Sequence, residues 1–198
     1  MGQIRVILLD VMETLVTEPF WHALPSYFGT TREELQSRIH PTSWIEFEKG
    51  RITEEEYLAT FFRDGRPVDA APLHRCLLQA FEWLDGMQPL LAELRSAGHP
   101  MYALSNYPAW YELIEQKLEL SRYLDWSFVS CRTGIRKPDP RAYLQVTEQL
   151  HVAPGECLFV DDRRVNIEAA RTLGMQAILK QDAQQLRRHF VDLKLLAE

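Results

Sequence analysis

Four short stretches of the chain hold the residue types that chemistry needs. The first is Leu9-Asp10-Val11-Met12-Glu13-Thr14-Leu15. It places a carboxylate at the end of an apolar run, where an unpaired charge is costly. The second is Ala103-Leu104-Ser105-Asn106, a small hydroxyl and an amide able to hold an anionic oxygen through O–H and backbone N–H. The third, Arg136-Lys137-Pro138-Asp139-Pro140, offers a lysine that can neutralise a phosphoryl oxygen and a neighbouring carboxylate nucleophile together. The fourth, Phe159-Val160-Asp161-Asp162-Arg163-Arg164-Val165-Asn166, sets two adjacent carboxylates that repel unless a cation or protons lie between them. Mg²⁺ prefers such oxygen ligands. Taken singly, each stretch is also compatible with a turn or a helix cap.

The segments around these residues predict how they are positioned. Residues 4–9 (IRVILL) are apolar with little alternation, as in a strand buried on both faces of a parallel sheet. Similar runs at 100–104, 126–129, 157–160 and 176–179 also read as short buried strands. Helical patterns lie between them, at about 88–97, 108–118, 140–150, 164–173 and 183–195, with Gly98 and Gly174 as stops. Asp139-Pro140 has the form of a helix N-cap followed by a first-turn proline. This alternation predicts an α/β fold, a parallel sheet flanked by helices with right-handed crossovers. Ligands in such a sheet bind at the carboxyl ends of the strands. Asp10 to Thr14, Ser105-Asn106 and Asp161-Asp162 are the residues expected there.

Residues 17–85 break the rhythm. Capping-box patterns begin at Thr31 and Thr53, and Leu73 to Trp83 reads as a third helix. The expected organisation is a core of residues 1–16 and 86–198 with an inserted all-helical cap domain of residues 17–85.

Composition narrows the partners. A net charge of -6 with no long basic run argues against a nucleic-acid binder. No apolar stretch approaches the length of a membrane span. The start, Met1-Gly2-Gln3-Ile4-Arg5, leads into too short an apolar run for a signal peptide, and the three cysteines form no CxxC pair. The expectation is a soluble cytoplasmic protein with reduced thiols. Nothing chooses between monomer and homodimer.

The order of the four stretches carries more than any one of them. A strand-end Asp with Thr four residues on, then a strand-end Ser, then Lys-Pro, then Asp-Asp, resembles the four-motif signature of the haloacid dehalogenase-like superfamily. That resemblance implies a Rossmann-like core, a cap between the first two motifs, and Mg²⁺-dependent hydrolysis of a small phosphorylated metabolite. It casts Asp10 as the nucleophile that becomes an aspartyl-phosphate. Thr14 would support it, Ser105 and the Asn106 N–H would hold the phosphoryl group, and Lys137 would offset charge. Asp10, the Met12 carbonyl, Asp161 and Asp162 would take the metal, with Asp162 the favoured direct ligand and Asp161 a second ligand or supporting acid.

One position departs from that signature. Most phosphatases of the superfamily have a second Asp, the general acid and base, where this chain has Met12, and a thioether cannot shuttle a proton. Glu13 and His22 are the neighbouring alternatives. Two other readings therefore stay open: a dehalogenase or phosphonatase, the latter with Lys49 as a Schiff-base lysine, and a catalytically silent binding protein. A narrower resemblance is to plant flavin mononucleotide hydrolase-type phosphatases. It rests on Leu9-Asp10-Val11-Met12-x-Thr14, Trp44-Ile45-Glu46-Phe47-Glu48-Lys49-Gly50, Asn106-Tyr107-Pro108-x-Trp110-Tyr111 and Arg136-Lys137-Pro138-Asp139-Pro140, and includes the Met. It implies an active enzyme and a flavin-like phosphate monoester. Phe20, Trp21, Tyr27, Phe28, Trp44 and Phe47 supply rings that could stack on such a ligand or form the cap's own core.

Overall fold

The structure, a computed structural model, describes residues 3–197, so Met1, Gly2 and Glu198 lie outside the described residues. The chain opens with strand β1 (Val6–Leu9). Six helices follow: α1 (Pro19–His22), α2 (Leu24–Tyr27), α3 (Arg32–Arg38), α4 (Ser43–Glu48), α5 (Glu54–Ala59) and α6 (Ala70–Ala80). The alternation then resumes with α7 (Met87–Ser96), β2 (Met101–Ser105), α8 (Tyr111–Leu118), β3 (Asp125–Val129), α9 (Ser130–Thr133) and α10 (Pro140–Leu150). It ends with β4 (Cys157–Asp161), α11 (Arg164–Thr172), β5 (Gln176–Leu179) and α12 (Ala183–Asp192).

The five strands form one sheet in the order β3-β2-β1-β4-β5, and every pairing is parallel. The strand period of two explains why β1 is apolar throughout. Ile7 and Leu9 pack into the core on one face, and Val6 and Leu8 into the core on the other. Helices cover both faces, so the expected Rossmann-like α/β core is what the chain forms. Register brings the strand ends level. Leu9 pairs with Ala103 of β2 and with Val160 of β4, and the Asp10 N–H donates to the Val160 carbonyl at 2.9 Å. Asp10 and Asp161 thus emerge side by side, with Ser105 on the other flank.

The capping boxes at Thr31 and Thr53 open α3 and α5 as expected. Asp139 caps α10, whose first residue is Pro140. Gly98 and Gly174 hold positive φ at helix ends. The expected helix at Leu73 to Trp83 is displaced. Asp69 caps α6 earlier, and Phe81 leaves helical geometry. Residues 82–84 are instead extended, because they pair with the other linker of the insert. Thr17 N–H donates to Glu82 O, Leu84 N–H donates to Leu15 O, and Val16 bridges Trp83. This two-stranded neck joins the helical insert to the sheet. The expected helix at 108–118 starts only at Tyr111, after a turn at Pro108.

Candidate active site

Asp10 leaves β1 beneath a tight turn. The Leu15 N–H donates to Val11 O at 2.8 Å and the Glu13 N–H to Val16 O at 2.8 Å, which folds residues 11–16 back on themselves. Glu13 takes the left-handed conformation at φ 54°. The turn drives Thr14 inward, where its hydroxyl donates to Asp10 Oδ2 at 3.0 Å. Lys137 reaches Asp10 from the loop before α10. Its Nζ donates to Asp10 Oδ1 and to Asp161 Oδ2, both at 2.7 Å. An ammonium with 1% of its side chain exposed is tolerable only with such partners. Burial pulls the Lys137 pKa down, but Asp10 and Asp161 outweigh it and hold it above the usual value.

Asn106 positions this lysine. Its amide accepts the Lys137 N–H at 2.7 Å and donates to the Lys137 carbonyl at 2.9 Å. The Asn106 side chain therefore grips the lysine's backbone instead of turning to a ligand. Asp161 is similarly held: Asn166 Nδ2 donates to both its oxygens at 3.0 Å, and the Arg163 N–H donates to Oδ1 at 2.7 Å. Among the described residues Asp162 makes no ion pair or hydrogen bond with another side chain, and it is less buried than Asp161.

One carboxylate oxygen each from Asp10, Asp161 and Asp162 lies within 4.8 Å of the others. Lys137 supplies one positive charge against three potential negatives. Burial pushes the Asp10 carboxyl up to about 7; Lys137 opposes this, and Asp161 and Asp162 add to it. Burial and Asp161 also raise Asp162. Three hard oxygen donors short of positive charge suit a divalent cation such as Mg²⁺. On the other flank, Ser105 Oγ is buried without a hydrogen-bond partner among the described residues. A buried hydroxyl left so costs roughly 1–3 kcal/mol, and an anionic ligand oxygen would satisfy it. The site as a whole can hold a phosphoryl group beside a fixed carboxylate.

Met12 is buried within the turn. Glu13 points away from Asp10: its Oε1 accepts the Glu18 N–H at 2.8 Å and lies 3.5 Å from Nε2 of the largely exposed His22. Lys49 stands at the C-cap of α4. Of the aromatic residues, Phe20, Trp21 and Trp44 line a cavity of about 400 Å³ in the helical insert, together with Glu18, Tyr57 and Arg63. Phe47 instead stacks on Tyr57 at 4.7 Å in the insert's core. Phe28 packs against Phe61 and Phe62, and Tyr27 lies at the surface.

The insert is seated on the sheet by contacts that residue types alone do not disclose. Arg136 Nη2 lies 2.8 Å from Glu48 Oε2, and Ser130 Oγ donates to the Glu48 carbonyl at 2.6 Å. Trp44 meets Tyr107 and Trp110, the rings that follow Ser105-Asn106. Nothing in the sequence pairs Glu48 with Arg136, which lie far apart in the chain.

A family model for haloacid dehalogenase-like hydrolases matches residues 4–174. The chain belongs to that family of hydrolases. It is 44% identical over 191 residues to the chloroplast flavin mononucleotide hydrolase of Arabidopsis thaliana, covering 96% of this chain and 78% of that protein. It is 31% identical to a sesquiterpene phosphatase of Aspergillus oryzae, covering 72% of this chain and 74% of the other. A family enzyme from Bacteroides thetaiotaomicron, solved with magnesium and inorganic phosphate, shares the fold with a TM-score of 0.73 at 22% identity, covering 94% of this chain and 99% of that one.

Proposed function

We propose that this chain is a Mg²⁺-dependent phosphatase of small phosphate monoesters, working through a phosphoryl group carried on Asp10. The observation that carries the reading is the placement of Asp10 between Thr14 and Lys137, next to two further carboxylates and a buried hydroxyl that has no partner among the described residues. Asp10 attacks phosphorus and expels the alcohol; water then attacks the same phosphorus and frees Asp10. Lys137 lowers the repulsion between Asp10 and an incoming dianion, and Ser105 donates to a phosphoryl oxygen. Asp10, Asp162, Asp161 and the Met12 carbonyl would hold Mg²⁺, which supplies charge neutralisation as negative charge gathers on the phosphoryl oxygens. Asp162 fits the direct-ligand role better than Asp161, whose oxygens are already taken by Lys137, Asn166 and the Arg163 N–H.

Residues 17–85 act as the cap domain over a core of residues 1–16 and 86–198. Movement about the neck at 15–17 and 82–84 admits substrate and then excludes water. The substrate is flavin mononucleotide or a phosphate monoester with a similar flat body. The Arabidopsis relative supports this, as does a cavity within the roughly 300–1,000 Å³ range of small-molecule sites. Among the described residues no helix is long and apolar enough to cross a membrane. The proposed setting is the cytoplasm, as monomer or homodimer without nucleic acid; the chloroplast address belongs to the relative.

The test is phosphate release from a panel of monoesters that includes flavin mononucleotide, with Mg²⁺ and then with excess EDTA. Turnover that EDTA abolishes and Mg²⁺ restores is expected, with flavin mononucleotide among the best substrates. Turnover indifferent to EDTA, or activity only on haloacids, would remove the proposal.

A further inference from the structure

The proposed reaction, on which this inference rests, still needs a proton source. The oxygen leaving phosphorus must be protonated unless it departs from an acidic alcohol, and Met12 has no proton to give. Two nearby acids are otherwise engaged. Glu13 is turned toward the Glu18 N–H and His22. Glu48 is held by the Trp44 indole N–H at 2.7 Å and by Arg136.

Glu18 is placed differently. It stands where the neck enters the insert, immediately before α1. Its Oε1 caps that helix by accepting the Phe20 N–H at 3.0 Å. Its Oε2 has no hydrogen-bond partner among the described residues, and the side chain lines the aromatic cavity beside Phe20, Trp44 and Tyr57. Glu18 is also near enough to Asp10 for the two carboxylates to repel. In-line transfer puts attacking and leaving oxygens on opposite sides of phosphorus. With Asp10 at the carboxyl end of the central strand β1, the leaving oxygen faces the insert, the side on which Glu18 stands.

We propose that Glu18 is the general acid and base that takes over from the missing second aspartate. In the first step an Asp10 oxygen bonds to phosphorus, the bond from phosphorus to the alcohol oxygen breaks, and the Glu18 carboxyl gives its proton to that oxygen. Alcohol leaves, and Glu18 is a carboxylate. In the second step a water oxygen bonds to phosphorus, the bond to Asp10 breaks, and Glu18 takes a proton from that water. The products are alcohol and inorganic phosphate, with both acids restored.

The surroundings keep the proton available. Burial pushes the Glu18 carboxyl up to about 8; the Phe20 N–H opposes this, and the charges of Glu13, Glu48 and Asp10 reinforce it. The phenols of Tyr57 on α5 and Tyr107 after β2 also face this charge, and both are raised well above the usual value, by burial first. Across the cavity stand His40 and Arg63.

The variants that test this are Glu18→Gln, which keeps the oxygen that caps α1 but has no acidic proton, and Glu18→Asp, which keeps the proton. Both are assayed with Mg²⁺ on flavin mononucleotide, an alkyl phosphate, and on p-nitrophenyl phosphate, whose leaving group departs unprotonated. Melting curves establish that each variant folds. Glu18→Gln should lose on the order of 10²–10⁴-fold in kcat on the alkyl phosphate. On p-nitrophenyl phosphate it should release one equivalent of p-nitrophenolate per enzyme in a burst and then slow, because the second step lacks its base. Glu18→Asp should recover part of the alkyl phosphatase rate. Unchanged kcat on the alkyl phosphate, or equal losses on both substrates without a burst, would overturn the assignment. Failure of wild type on every phosphate ester would instead strike the phosphatase reading beneath it.

Discussion

Asn106 holds Lys137 by both backbone groups, accepting its N–H at 2.7 Å and donating to its carbonyl at 2.9 Å. The lysine's ammonium can then span Asp10 and Asp161 without searching for them. Replacing Asn106 with Ala removes both bonds and leaves two backbone groups poorly satisfied. The expected outcome is a loss of about 1–3 kcal/mol in unfolding free energy, with a fall in kcat larger than the change in KM. Denaturant melts and steady-state kinetics on the same preparation check both.

Ser105→Ala should separate activity from stability. Its hydroxyl is buried without a partner among the described residues, so deletion removes no hydrogen bond that they make. The melting temperature should stay level or rise slightly. Activity should fall by on the order of 10²-fold, as when one donor to a developing oxyanion is removed. A clear drop in melting temperature would show that Ser105 serves the fold.

Stability should respond to pH in a direction set by two raised acids. Asp10 sits at about 7 and Glu18 at about 8 in the folded chain, each pushed up first by burial. Between their ordinary carboxylate values and these raised ones, the folded state binds more protons than the unfolded state. Stability from these groups is therefore present at low pH and is lost as pH rises through about 7 to 8. In EDTA the melting temperature should fall from pH 5 toward pH 8. Mg²⁺ should recover most of the loss at the upper end and little at pH 5. A metal effect equal at both pH values would contradict this.

Gly50 fixes how the insert sits. At φ +63°, a Cβ there would come 2.3 Å from the Cys131 carbonyl oxygen of α9. Gly50→Ala must strain the turn and lift α4 from the core, costing on the order of 1 kcal/mol or more. Because Glu48, Trp44 and the cavity move with that turn, kcat and KM should both worsen. Unaltered kinetics would mean that this seat does not govern access.

Much of the sheet and the site was legible because their signals are local and strong. Buried parallel strands read as apolar runs, and a carboxylate at the end of such a run has few reasons to be there. Asp10, Thr14, Lys137 and Asp161 accordingly come together. The insert was harder to read. Helices α1 and α2 have four residues each, too few for a periodic pattern, and the end of α6 yields to pairing across the neck, a contact 65 residues apart between Thr17 and Glu82. Glu18 escaped notice because Glu-Pro before an aromatic residue reads as an ordinary helix start. Only the cavity beside it and the carboxylates around it distinguish it. Asn106 was legible as a residue at the site, but its grip on Lys137 depends on a loop 31 positions away.

The central claim is that phosphorus passes through Asp10. The direct measurement is an acid quench of the enzyme during turnover of p-nitrophenyl phosphate with Mg²⁺, followed by mass spectrometry of its peptides, for wild type and for Asp10→Asn. The account predicts a phosphoryl group on the Asp10 peptide of wild type, and neither label nor turnover in the variant. Turnover with the label on another residue, or full activity in Asp10→Asn, would contradict it.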